Sequence, residues 1–315
     1  MTLALAVDIG LTLLILAMAA WTIAVRDTFA SVIGFVTYGL LLTLVWVRLA
    51  APDVALTEAA MGGGLTGALL IGAAARLRST ESASRTERPS VLTRTLAAVL
   101  SAAVTAALAI CVLNLPDPAP TLAPAAAAQL GSTGVGNPVT AVLLAYRAMD
   151  TLLEAIVVLL ALVGVWSLAH DRAWGGYPQL RSHADPDGIL AYFARVMAPV
   201  GIIVGIYIFW IGADFPGGKF QGATILAAMW LLVIGAGLAH LPPVSQTWLR
   251  VLLVAGPLVF IVIGFAGLVT AEAVFAYPNG YAKPLILAIE IALMPTLVLA
   301  LALLVAGAPQ RMPPQ

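Results

Sequence analysis

Arg147, Asp150 and Glu154 stand within an almost wholly apolar stretch. Pro138-Val-Thr-Ala-Val-Leu-Leu-Ala precedes them and Ala155-Ile-Val-Val-Leu-Leu-Ala-Leu-Val-Gly follows. Inside lipid each such charge costs about 2.5–3.5 kcal/mol on insertion scales. At helical spacing the three are i, i+3 and i+7, which predicts one shared face within about two turns. A cation and two carboxylates facing one way inside a membrane either line an ion or proton path or dock against a partner helix with complementary charges. Arg147 has a second reading, as an interfacial residue that snorkels to the headgroups. Asp150 also suits the first turn of a helix, where the dipole favours an anion. Glu154 has neither escape, because a long apolar run follows it.

Other polar residues sit at similar depths. In Ala51-Pro52-Asp53-Val-Ala-Leu-Thr57-Glu58, Pro52 suits the first helical turn and Asp53 the positive end of the dipole. Asp53 is therefore a helix cap or a site residue. Glu58 lies about 8 Å deeper by the rise per residue. The glycines after it, Gly62, Gly63, Gly64 and Gly67, read as helix-packing positions. Asp214-Phe215-Pro216-Gly217-Gly218-Lys219-Phe220-Gln221-Gly222 carries a Pro-Gly-Gly turn between two spans. Beyond it, Gln221 and Thr224 are placed to hydrogen-bond across helices. Glu290 falls near the middle of the last span, and Pro295 after it frees a backbone carbonyl and predicts a kink.

The elements that hold these groups must be membrane helices. Of 315 residues, 62% are hydrophobic and 10% charged, against about 25% charged in soluble domains. Mean hydropathy is +1.03. The expected fold is all-α and polytopic, with nine spans near 3–25, 28–48, 53–75, 93–115, 148–169, 190–212, 218–240, 248–271 and 281–307. Asn137-Pro138 reads as an N-cap followed by Pro at N1. A helix from there to residue 169 would be about 48 Å long, too long for a core of about 30 Å. It is broken near Arg147, strongly tilted, or partly interfacial. With the N-terminus outside and the C-terminus cytoplasmic, eleven of the fifteen Lys and Arg residues fall on the cytoplasmic side. Arg48, Arg147, Lys219 and Lys283 fall toward the outside, and residues 117–136 read as a long outer loop without a basic residue. The first span carries no basic leader or Ala-x-Ala exit and reads as a membrane helix rather than a signal peptide.

Zero net charge gives nucleic-acid binding no support. The single cysteine, Cys111, cannot pair within the chain, and His170, His183 and His240 are scattered, so no metal site is expected. The halves show no evident repeat, which argues against a self-sufficient inverted-repeat transporter.

Three segments resemble accessory subunits of Mrp-type multisubunit sodium/proton antiporters. Residues 1–76, with Phe35, Tyr38 and Ala51-Pro-Asp-Val-Ala-Leu-Thr-Glu58, resemble the MbhD-like three-helix module of the large Mrp A subunit's C-terminal extension. Residues 92–170, with Arg147-Ala-Met-Asp150-Thr151-Leu-Leu-Glu154, resemble the MbhE-like module that follows it. Residues 190–307, with Phe215-Pro-Gly-Gly-Lys-Phe-Gln-Gly222, are similar to the four-helix MnhB/MrpB subunit. Residues 77–91 and 171–189 then serve as cytoplasmic linkers, and 308–315 as a cytoplasmic tail. Lys219 departs from the resemblance, standing where a third glycine is usual.

The resemblance implies a subunit of a hetero-oligomeric complex in the cell membrane, without enzymatic activity or cofactor. It would sit beside antiporter-type subunits and supply part of a Na+ or proton route. The implied carriers are Asp150 and Glu154, supported by Asp53, Glu58, Arg147, Thr151 and Glu290. Pro216, Gly217, Gly218, Phe220, Gln221 and Gly222 form the structural motif. Two alternatives stay open: a membrane-arm subunit of a complex I-like or hydrogenase-like redox complex, and a scaffold whose charges are inter-subunit salt bridges.

Overall fold

The computed structural model describes residues 3–84, 90–118, 120–178, 180, 185 and 187–310. Arg85, Arg88, Arg181 and Arg311, used above for orientation, lie outside them, as does His183. The described chain is a bundle of helices: α1 Leu3–Ala24, α2 Thr28–Arg48, α3 Pro52–Thr57, α4 Gly67–Ser84, α5 Val91–Leu113 and α6 Ala123–Thr133 come first. Then follow α7 Pro138–Ala141, α8 Ala148–Ser167, α9 Ile189–Ile211, α10 Lys219–Gly235, α11 Thr247–Thr270 and α12 Ala282–Ala306. A π-helical stretch, Glu58–Thr66, joins α3 to α4, and another, Val142–Tyr146, extends α7. Two two-residue strands, β1 Tyr177–Pro178 and β2 Pro309–Gln310, pair antiparallel.

Eight helices of the described residues are long and apolar enough to cross a membrane. They correspond to eight of the nine expected spans. The other, expected over 218–240, is α10 and has only 17 residues. The helix entered at Asn137 is broken at Arg147, whose backbone (φ −132°, ψ 41°) leaves the helical region. Residues 117–136, expected as loop, contain α6: Pro124 sits in its first turn and an alanine run carries it onward.

Local chemistry accounts for these boundaries. The Asp27 carboxylate accepts from the Ala30 amide at 2.8 Å and starts α2. Asn137 Oδ1 accepts from the Val139 amide at 2.9 Å, with Pro138 at N1, and starts α7. Hydroxyls within apolar helices turn back on carbonyls four residues earlier, as Thr22 does on Met18 and Thr43 on Gly39. This satisfies those hydroxyl donors within their own helices.

The core gathers on α12. Its side chains enter three apolar clusters, two shared with α8 and α11 along its whole length and one shared with α10. α9, α10 and α12 meet at Gly222, where an added Cβ would lie 2.7 Å from the Gly205 carbonyl oxygen and 3.0 Å from Met294 Cε. Only glycine lets the backbones approach so closely. α12 runs through Pro295 as a single helix, and Thr296 donates to the Leu252 carbonyl of α11 at 2.7 Å. By contrast, α1 and α5 bury no residue at all. α1 is tied to α2 by Arg48, which donates to both Asp8 oxygens at 2.8 and 3.0 Å.

Candidate functional site: a charged cavity behind an outer junction

Asp53, Asn137 and the Phe215–Gln221 hairpin come from three distant parts of the chain and form one hydrogen-bonded junction. Asp53 Oδ1 accepts from Asn137 Nδ2 at 3.1 Å and from the Gly217 amide at 3.0 Å. Asn137 Nδ2 also donates to the carbonyls of Gly212 (3.1 Å) and Phe215 (2.9 Å). Thr140 donates to Gly212 at 2.6 Å, and Gln221 Nε2 donates to Thr57 Oγ1 at 2.9 Å. All five residues except the half-buried Thr57 are buried. The hairpin takes this shape because Gly217 and Gly218 have φ of 153° and 141°. A side chain at Gly217 would also collide with the Ile208 carbonyl. Just outside, Lys283 donates to both Asp214 oxygens at 2.7 and 2.8 Å, and the Gly136 amide donates to Asp214 Oδ1. The Lys283 ammonium holds the Asp214 carboxyl below the usual carboxylate range.

Behind the junction lies a cavity of 240 Å³ lined by Glu154 of α8, Lys219 of α10 and Glu290 of α12, with Thr57, Thr140 and Gln221. A wider pocket of 420 Å³ reaches the junction from the side of Ala50, Pro138 and Phe215. Asp53, Val54 and Val139 line both, so they form the wall between the two. Lys219 Nζ lies 3.9 Å from Glu290 Oε1, and each side chain is only 3% exposed. Glu154 faces the same cavity but keeps more accessible surface. Along their helices Glu154 and Glu290 are about 9 and 12 Å from the first residue, whereas Lys219 is the first residue of α10. α10 therefore starts about two turns deeper than α8 and α12, which explains why it is short. The hairpin tucks inward to reach Asp53 and carries Lys219 to the level of the two carboxylates.

Three site expectations meet a different geometry. Arg147 and Asp150 pair with each other at the surface, with side chains 70% and 51% exposed. They do not line the cavity that Glu154 lines. The i, i+3, i+7 spacing sets rotation about the helix axis, but the break at Arg147 puts these two at the exposed start of α8. The Thr151 hydroxyl donates at 2.6 Å to the Leu143 carbonyl, in the π-helical turn before the break. Thr224 donates to Phe220 in its own helix at 2.8 Å rather than across helices.

Glu58 opens the first π-helical stretch and lies against Gly39 of α2 and Gly62, where an added Cβ would crowd its carboxylate. It is half-buried and outside the cavity. Phe220 joins the α10–α12 core, and Pro216 lines the outer pocket.

Lys219 is the site residue that sequence reasoning missed. Counted as an outer-loop cation, it is one of the most buried polar residues of the described chain. The available signal was a lone Lys at the edge of one apolar span and a lone Glu inside another, since charges within a membrane pair with one another. Asn137, read only as a cap, also caps with Oδ1 while its amide group binds the junction. Tyr277, from the loop between α11 and α12, donates to the Leu144 carbonyl of the second π-helical stretch at 2.7 Å. Burial, and secondarily Glu290, push its phenol well above the ordinary value, so it remains a donor.

The described residues thus form a bundle of apolar, membrane-length helices around a small charged cavity, with α1 and α5 left uncovered. Residues 13–79 match the MbhD family model of MBH, and residues 189–309 match that for the domain related to the MnhB subunit of the Na+/H+ antiporter. Two segments of the chain, together more than half of it, are thus similar to domains of multisubunit membrane complexes. Its fold matches a chain in the Mrp complex from Dietzia sp. DQ12-45-1b, with TM-score 0.71 and 21% identity over 97% of this chain and 35% of that one. It also matches a chain of the membrane-bound sulfane sulfur reductase, an archaeal respiratory membrane complex, with TM-score 0.56 and 23% identity. That match covers 68% of this chain and 97% of that one. An uncharacterized protein of Methanocaldococcus jannaschii is 28% identical over 149 residues, covering 42% of this chain and 57% of that protein. The chain thus spans little more than half of that relative and about a third of the matched Mrp chain.

Proposed function

We propose that this protein is a non-enzymatic accessory subunit of a multisubunit monovalent cation/proton antiporter in the cell membrane, and that Glu154, Lys219 and Glu290 carry its part of an ion route. The observation that supports this most is the cavity in which those three groups meet, set behind a pocket that reaches the same wall. Isolated charges at such depth are costly and are retained where ions or protons move. Its partners are other antiporter-type membrane subunits, to which α1 and α5 offer uncovered apolar faces. The reading divides the chain into the MbhD-like module 1–76, the MbhE-like module 92–170 and the MnhB/MrpB-like module 190–307, with the N-terminus outside and the C-terminus cytoplasmic. Asp53 keeps the junction closed, and Arg147 and Asp150 belong to an outer face available to a neighbouring subunit.

The test is sodium/proton exchange by vesicles carrying the purified complex, comparing wild type with Glu154→Gln at equal subunit content. Gln preserves shape and hydrogen bonding but cannot titrate. Exchange reduced by about tenfold or more supports the route, because a general proton carrier contributes at least that much. Wild-type exchange assigns Glu154 to structure.

A second reading, a membrane-arm subunit of a respiratory redox complex, is favoured by the match to nearly the whole of a sulfane sulfur reductase chain. The subunits that co-purify separate the two: antiporter-type chains alone support the first reading, and chains holding redox centres support the second.

A further inference from the structure

The cavity is lined by Asp53, Glu154, Glu290 and Lys219; Asp53 is engaged by the junction donors Asn137 and Gly217, which leaves two carboxylates and one ammonium to balance one another. If those three are ionised they carry one net negative charge, and the burial of Lys219 and Glu290 leaves little solvent to screen it. One more unit of positive charge is required, and a proton or a monovalent metal ion can supply it. We infer that Lys219 is a tethered counter-cation that makes this a proton site, with a single exchangeable proton on Glu154, and that it keeps Na+ out. The inference rests on the ion-route reading above and names the ion that this cavity takes.

Geometry assigns the partners. Lys219 Nζ is 3.9 Å from Glu290 Oε1, and both groups are 3% exposed, so the ammonium is committed to Glu290. Glu154 faces the ammonium across the cavity and is the carboxylate with access to the surface. Other charged or titratable groups do not supply the missing charge. Asp53, on α3, accepts from the neutral donors Asn137 and Gly217. Tyr277, from the loop before α12, is a neutral donor to Leu144. Arg147, on the approach to α8, is paired with Asp150 at the surface.

The same arrangement disfavours a bare metal ion. A hard cation needs several oxygen ligands converging on one point. The ammonium occupies the neighbourhood of both carboxylates, and a second cation placed there would meet its repulsion. A proton needs no ligand shell and bonds directly to a carboxylate oxygen.

The experiment uses the full chain in lipid nanodiscs. Carboxyl protonation is followed by infrared difference spectroscopy over a pH series, with NaCl or choline chloride at equal ionic strength. The expected wild-type result is one protonated carboxyl in the accessible pH range, insensitive to Na+. Glu154→Gln removes that signal. Glu290→Gln moves it to lower pH, because Lys219 then pairs with Glu154. In Lys219→Met, Na+ should compete with the proton and lower its apparent affinity about tenfold or more, whereas Lys219→Arg remains insensitive.

Persistence of the signal in Glu154→Gln overturns the assignment of the proton. A lowering of apparent proton affinity by Na+ in wild type or Lys219→Arg overturns the exclusion. Should Lys219→Met fail to fold, wild type and the Arg and Gln variants still decide both points. The readout is binding, not transport. Loss of the exchange phenotype with these titrations intact removes the ion-route reading alone, and altered titrations with exchange intact remove this inference alone.

Discussion

Two charged clusters lie about a turn apart at the start of α8, and they have opposite fates. Arg147 and Asp150 are mutually paired and largely exposed. Glu154 points into a cavity with a Lys and a Glu that are almost fully buried. At the surface the ion pair is free to exchange partners, and exposed pairs contribute only about 0–1 kcal/mol. In the cavity each charge depends on the others, and removing one partner of such a set costs about 3–5 kcal/mol because the remainder is left uncompensated. Depth, more than residue type, decides how strongly each cluster's charges depend on one another.

The contrast is broken most directly at Lys219. Lys219→Met should strongly destabilise the chain, by about 3–5 kcal/mol, measured as loss of folded protein in detergent melts. The double variant Lys219→Met/Glu290→Gln should recover much of that loss, because it removes the pair together. Equal destabilisation by single and double variants would show that the charges are not coupled.

Asn137→Ala comes next. It leaves Asp53 and two carbonyls short of a donor and removes the cap of α7, for an expected cost of about 1–3 kcal/mol. Proteolysis between residues 114 and 137 is a sensitive measure of the loosened junction. An unchanged digestion pattern would mean that the junction does not hold α7 in place.

Asp214 gives a smaller, pH-dependent effect. Lys283 depresses its carboxyl pKa in the folded state. Its stabilisation is therefore present above the unfolded value of about 3.9 and is lost as pH falls through the depressed folded value. The group is largely exposed, so solvent screening limits it to about 1 kcal/mol at most. Lys283→Met should flatten the acid limb of a melting-temperature profile; an identical limb would remove the pair from the account.

The smallest effect is expected at Arg147. Arg147→Ala should change the stability of the isolated chain by less than about 1 kcal/mol. A large loss in the isolated chain would show that the pair acts on the cavity after all.

Much of the scaffold was readable from hydropathy and caps. Apolar runs located α1, α2, α9, α11 and α12, Asn137-Pro138 marked the start of α7, and Pro216-Gly-Gly marked the hairpin. Glu154 and Glu290, both singled out as acids within apolar spans, line the same cavity, Glu290 buried and Glu154 with surface access. What sequence did not reveal was depth. Periodicity fixes the angle of Asp150 and Glu154 about an axis but says nothing of where the helix begins relative to its neighbours. Lys219 read as a loop residue because a charge beside Pro-Gly-Gly looks solvated, and its burial follows from long-range bonds between Gly217 and Asp53. α6 was hidden by its prolines, although Pro belongs in a first turn. The π-helical stretches left no composition signature.

The junction around Asn137 also sets an order of events during synthesis. Its partners lie 84 residues earlier, at Asp53, and 75 and 78 residues later, at Gly212 and Phe215. When α7 and α8 have entered the bilayer, the Gly212–Gly218 hairpin has not yet been made, and Asp53 and Asn137 still lack half their bonds. Unmet polar groups stay near water, so both helix starts should remain at the interface until α9 and α10 arrive. The hairpin then acts as the closing stitch, delivering the Gly217 amide to Asp53 and drawing Lys219 inward in the same movement. The ammonium thus arrives when Glu154 is already in place, and its pairing with Glu290 waits for α12, the last helix of the bundle to be made.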